Sequence, residues 1–132
     1  MRESTDAFHL AVPARDLAEA EKFYTALGCQ VARRYDDRVT FNFFGDQLVC
    51  HHSPDEPIVE PKLYPRHFGV TFKAAADFEA LLRIVDLRDI PVFQKVRLRF
   101  EGTAEEHRTI ALIDPSQNLL EFKHYADPRM MY

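Results

Sequence analysis

A chain of 132 residues is one domain by length, and 46% hydrophobic and 29% charged residues are the ordinary composition of a globular protein with a buried core. A formal charge of -4 and a pI near 5.8 exclude a nonspecific nucleic-acid binder, and no apolar run approaches the roughly 18 residues of a membrane span. Cys29 and Cys50 lie in apolar text without the spacing of a disulfide framework, and Met1–Asp6 carries acids rather than an apolar leader, so the expectation is a cytoplasmic protein with two buried thiols.

The chain opens on a strand, Phe8-His9-Leu10-Ala11-Val12. Alternation puts Phe8, Leu10 and Val12 on one face and leaves His9 on the other beside small alanines, looking into space its neighbours do not fill. Asp16 and Glu19 have the spacing of a capping box, which predicts a helix from Leu17 to Leu27 with Leu17, Ala20, Phe23, Tyr24 and Leu27 at helical spacing and Gly28 as its C-terminal stop. Strands are predicted at 30–35, 39–44 and 47–51, separated by Asp36-Asp37 and Gly45-Asp46 turns. Four prolines between Ser53 and Pro65 mark a linker.

A second strand with the same grammar then begins at His67: Phe68, Val70 and Phe72 on one face, His67, Gly69 and Thr71 on the other. A helix over 77–87 and strands at 92–100, 109–113 and 119–125 follow, the last two joined by the turn Asp114-Pro115-Ser116-Gln117-Asn118. His67 stands 58 positions after His9, and the same offset carries Leu17, Ala20, Phe23 and Leu27 onto Ala75, Phe78, Leu81 and Val85, all apolar. The fold class read from this is α+β: two repeated β-α-β-β-β modules, residues 7–53 and 66–125, forming a cup-like mixed sheet with helices on the outside.

On the last strand Leu120 and Phe122 share the apolar face, so Glu121 lies opposite, on the side of the histidines. His9, His67 and Glu121 make a 2-His-1-carboxylate set, which binds a divalent metal and leaves coordination positions open. Other polar residues are placed to shape a pocket. Gln47 and His51 alternate onto one face of their strand, His51 as an acid/base candidate and Gln47 as a substrate contact. Lys95, Arg97 and Arg99 alternate with Val96, Leu98 and Phe100; if that row faces inward, Arg97 and Arg99 bind an anionic or chelating substrate, and if outward it protects an edge. His107, after the Gly102–Glu106 loop, is a second acid/base candidate.

These pieces together resemble the vicinal oxygen chelate superfamily of glyoxalase I, bleomycin-resistance proteins and extradiol dioxygenases. The resemblance rests on Phe8–Val12 with Asp16-Leu17 and Phe23-Tyr24, on His67–Val70, and on Asp114–Phe122, where Gln117 replaces the usual glycine of the turn. It implies paired modules, a metal held by His9, His67 and Glu121, and frequent dimers, so a homodimer acting on a small molecule is expected. Glyoxalase-like members carry a fourth, carboxylate ligand on the last strand of the first module. Here Val49 holds the position matching Glu121, and His51 is the nearest substitute. The three-ligand set favours a dioxygenase-like enzyme with Fe2+, ahead of a glyoxalase-like isomerase or lyase with Zn2+, Mn2+ or Ni2+, or a resistance-type protein that binds without turnover.

Overall fold

A computed structural model describes every residue, Met1–Tyr132. The first half contains β1 (His9–Ala14), α1 (Leu17–Leu27), β2 (Gln30–Arg34), β3 (Arg38–Phe43) and β4 (Asp46–His52). The second contains β5 (Thr71–Phe72), α2 (Ala75–Leu87), β6 (Val92–Arg99), β7 (His107–Ile113) and β8 (Leu119–Tyr125), followed by a 3-10 turn at Pro128–Met131. Each half forms its own four-stranded sheet in the same order, β1-β4-β3-β2 and β5-β8-β7-β6, with a parallel first pair and antiparallel others. The duplication is thus real in topology as well as in spacing.

Helix α1 has the expected ends: the Asp16 carboxylate accepts from Glu19 N at 3.0 Å, and Gly28 closes it in the left-handed conformation, φ 108°. Helix α2 starts at Ala75, two residues before the expected position, without a side-chain cap, and buries Phe78, Leu81 and Val85, the counterparts of Ala20, Phe23 and Leu27. Both helices lie on the apolar faces of their sheets, and a single cluster of 20 buried residues runs through both modules. Aromatic rings bridge them, with Phe43 5.6 Å from Phe68 and Phe44 5.6 Å from Phe122.

A buried polar clasp locks the β7–β8 turn onto the β1–α1 corner. Asp114 accepts from Tyr24 Oη at 2.8 Å and from the amides of Ser116 and Asn118, while Asn118 Nδ2 donates to Pro13 O and Arg15 N donates to Ser116 Oγ. Gln117 sits at φ 70°, the left-handed conformation for which glycine is preferred, so the turn keeps its shape despite the substitution.

Two expectations need correction. The strand expected over 67–72 pairs regularly only at Thr71–Phe72, with an isolated bridge from Phe68 to Leu120. The segment still lies against β8, with Phe68 N donating to Leu119 O and Lys123 N to Val70 O, and Gly69 passes so close that a Cβ would lie 1.8 Å from Glu121 O. The Lys95-Arg97-Arg99 row is also broken. Register shifts between Val92 and Gln94 and between Gln94 and Arg97 insert bulges, so Gln94 pairs with Ala111 and Arg97 with Thr109, and Lys95 turns to line a groove against α2 with Leu82, Val85 and Ile110.

Candidate metal centre

The strand faces turned away from the helices carry the polar residues. On the first sheet, His9 pairs with Gln47 across β1 and β4, and Nδ1 of His9 lies 2.5 Å from Gln47 Oε1. An amide oxygen only accepts, so Nδ1 is the donor of this hydrogen bond. His9 is exposed, as is His51 further along the same face. Val49 lies between them at 6% exposure, and its side chain offers no donor atom.

On the second sheet, His67 and Glu121 meet. Nδ1 of His67 donates to Leu63 O at 2.6 Å, and Nε2 lies 3.1 Å from Glu121 Oε2. The carboxylate is 4% exposed; Oε1 accepts from Thr109 Oγ1 at 2.9 Å, whereas Oε2 is buried without a well-directed hydrogen bond. Lys123 Nζ stands 3.0 Å from Oε2 as an ion-pair partner. Burial alone would raise the Glu121 carboxyl, but the Lys123 contact, the Thr109 hydrogen bond and the charges of Lys123 and His67 outweigh it and hold the group below its ordinary value.

The donor set fits a divalent cation. Each imidazole points Nδ1 at an oxygen acceptor, so Nε2 is the nitrogen that would bind a metal, and in His67 it faces Glu121 Oε2. The cationic neighbour of that oxygen is Lys123 Nζ at 3.0 Å, so a divalent ion held between the imidazole and the carboxylate would take over the charge balance that the ammonium provides. Within one chain, however, no three His, Cys, Asp or Glu side chains gather closely enough to hold a metal. His67 and Glu121 come together; His9 belongs to the other sheet.

The remaining residues divide as follows. Arg97 shares the face of Thr109 and Glu121. Arg99 is one row beyond, its guanidinium 5.3 Å from the Phe100 ring. His107 is not a loop residue but the first of β7: it is 9% exposed, wedged between Phe100 and Tyr125, with Nδ1 on Glu105 O. Gln47 holds His9. Alternation could have flagged Thr109, but Leu63, which orients His67 from inside the proline-rich linker, gave no sequence signal. Cys29 and Cys50 are buried free thiols, each pushed up to about 12 by burial.

The family model for the Glyoxalase/Bleomycin resistance protein/Dioxygenase superfamily matches residues 7–122. The chain belongs to this superfamily. A solved glyoxalase/bleomycin resistance protein/dioxygenase from Alicyclobacillus acidocaldarius is 58% identical, with each chain covered over 100% of its length and a TM-score of 0.94. Two more distant structures share the superfamily fold. A lactoylglutathione lyase from Agrobacterium tumefaciens is 17% identical, with 93% of this chain and 96% of that one covered and a TM-score of 0.66. A bleomycin resistance determinant encoded on the transposon Tn5 is 18% identical, with 92% and 98% covered and a TM-score of 0.69. No curated protein matches the sequence. The superfamily therefore spans lyases, resistance proteins and dioxygenase-like proteins, and no helix here is long and apolar enough to cross a membrane.

Proposed function

We propose that this chain is a metal-dependent enzyme of the glyoxalase/dioxygenase type, dioxygenase-like in having three protein ligands, that acts on a small chelating substrate. The centre takes His67 and Glu121 from one chain and His9 from a second copy. The observation that carries this reading is the buried Glu121 Oε2, which lacks a directed donor and faces Nε2 of His67 at 3.1 Å. A bound divalent ion, Fe2+ in a dioxygenase or Zn2+, Mn2+ or Ni2+ in an isomerase or lyase, supplies Lewis acidity and orients the chelating oxygens of the substrate.

The chain's own residues set up that site. Leu63 O and Gln47 Oε1 fix the two imidazoles, and Thr109 fixes the carboxylate. Val49, in place of a fourth ligand, leaves open coordination positions. His51, exposed on the face of Val49, is the group able to move a proton in the isomerase or lyase version, and His107, held on the face of Thr109, is the corresponding candidate on the second sheet. A second reading, binding without turnover, is favoured by one observation: the Lys123 ammonium, 3.0 Å from Glu121 Oε2, balances the carboxylate charge.

Metal analysis of anaerobically purified protein separates them. The enzyme reading expects bound metal in the wild type and its loss in both His9→Ala and Glu121→Ala. Equal metal in wild type and both variants sinks the site, and wild type devoid of metal supports the binding reading. Oxygen uptake with a panel of catechols then distinguishes the dioxygenase from oxygen-independent isomerase chemistry.

A further inference from the structure

The face around Glu121 is laid out in rows across its four strands. Arg97, Thr109, Lys123 and Thr71 are successive partners across β6, β7, β8 and β5, and Gln94, Ala111 and Glu121 form the neighbouring row. Side chains of one row leave the sheet in the same direction, and the Thr109 to Glu121 hydrogen bond shows that this direction is the carboxylate's. Lys123 and Arg97 therefore flank the buried Thr109 from either side. Their backbones are about 10 Å apart, two strand spacings, a gap that two long cationic side chains can close over an oxyanion.

Charge is uneven along this face. On the Leu119 side of Glu121, Leu63 packs against Ala111, Leu119 and Ile113 and makes an apolar end. On the other side stand the two cations, and Arg97, which is exposed, forms none of the ion pairs of the chain. Arg99 lies over the Phe100 ring instead. An exposed, unpaired guanidinium and a partly buried ammonium on the same sheet face are an arrangement for carboxylate, phosphonate or phosphate oxygens.

We propose that the ligand of this site is a small organic acid whose oxyanion is held by Lys123 and Arg97 above Thr109 while its remaining oxygens point toward Glu121 and His67. The proposal rests on the site proposed above for where the rest of the ligand lies, but not on a metal being bound. Lys123 exchanges its contact with Glu121 for one with the oxyanion, and a hydroxyl of the ligand donates to Glu121 Oε2 in its place.

Titration calorimetry on the full chain, with metal content measured on the same samples, tests this with three probes: catechol, 3,4-dihydroxybenzoate and inorganic phosphate. The carboxylated probe is expected to bind at least about tenfold more tightly than catechol. Arg97→Gln and Lys123→Gln should each bring the two to within about twofold, Lys123→Arg should keep the preference, and Lys22→Gln, exposed on α1, should leave it unchanged. Phosphate should compete with dihydroxybenzoate and not with catechol if any oxyanion suffices; competition absent, with the preference intact, narrows the acid to a carboxylate. Equal affinity for the two catechols in wild type, binding of neither, or a preference that survives both Arg97→Gln and Lys123→Gln overturns the proposal. A carboxylate preference in protein that holds no metal would sink the metal reading alone, whereas bound metal without that preference would sink this one alone.

Discussion

Asp114 shows how a single side chain joins the two modules. At 3% exposure it takes hydrogen bonds from Tyr24 Oη, Ser116 N, Asn118 N and Asn118 Nδ2. Burial raises its carboxyl above the ordinary aspartate value, and the hydrogen bonds from Asn118, Tyr24 and Ser116 offset only part of that. Asp114→Ala leaves those donors without a partner in a dry site and should cost about 2–4 kcal/mol in urea unfolding. The pH dependence has a definite sign. With its folded-state pKa above the unfolded one, the native state binds the proton more tightly, so wild type gains stability as pH falls from the folded pKa of Asp114 toward the unfolded value. The gap between wild type and Asp114→Ala should widen on acidification through that window; a gap that is flat with pH would show that Asp114 is not the titrating group.

Gly69 plays the corresponding part for a strand. Its missing side chain lets the segment from His67 to Phe72 lie against β8, with Phe68 N donating to Leu119 O and Glu121 N to Phe68 O at 2.7 Å, and this contact sets His67 beside Glu121. Since the obstructing atoms are the Glu121 backbone, Gly69→Ala cannot be absorbed by a rotamer change. It should destabilise by about 1–3 kcal/mol in urea unfolding and weaken metal binding as His67 is pushed off the carboxylate. Unchanged stability and metal content would mean that the segment has another position open to it. How much was readable in advance follows the same logic of local against tertiary cause. Helix α1 was legible to the residue because Asp16, the apolar spacing and Gly28 are all local signals, and the pairing of Glu121 with His67 was legible because alternation fixes faces. The bulges that turn Lys95 away and bring Gln94 in exist only through the register of β6 on β7, and the burial of Leu63 depends on a sheet that the linker touches from a distance. Alternation also could not say what each face looks at, so it left open whether His9 meets His67 in one chain or across two.

The arrangement of the two modules decides where His9 finds its partners. Their apolar faces share one core, so both histidine-bearing faces turn away from it, and a single chain brings together only His67 and Glu121 of the proposed three-ligand set. Exposed Phe8, Val31, Ile58, Val59, Phe93 and Leu98 add apolar surface that association would cover. A two-fold dimer that sets the first sheet of one chain against the second sheet of the other forms the site twice, each copy lending His9 to its neighbour. Mixing two inactive variants tests this directly. His9→Ala dimers lack the imidazole in both sites and Glu121→Ala dimers lack the carboxylate in both, so each alone should bind little metal. Refolded together, about half of the dimers are mixed, and each mixed dimer has one complete site, made from His9 of the Glu121→Ala chain and His67 and Glu121 of the His9→Ala chain. Metal content should therefore recover to about one quarter of wild type, since two-fold symmetry allows one intact site in two. A site closed within one chain predicts no recovery at any mixing ratio, because every chain in the mixture carries a defect, and that result would rule out the shared centre while leaving the ligand assignments standing.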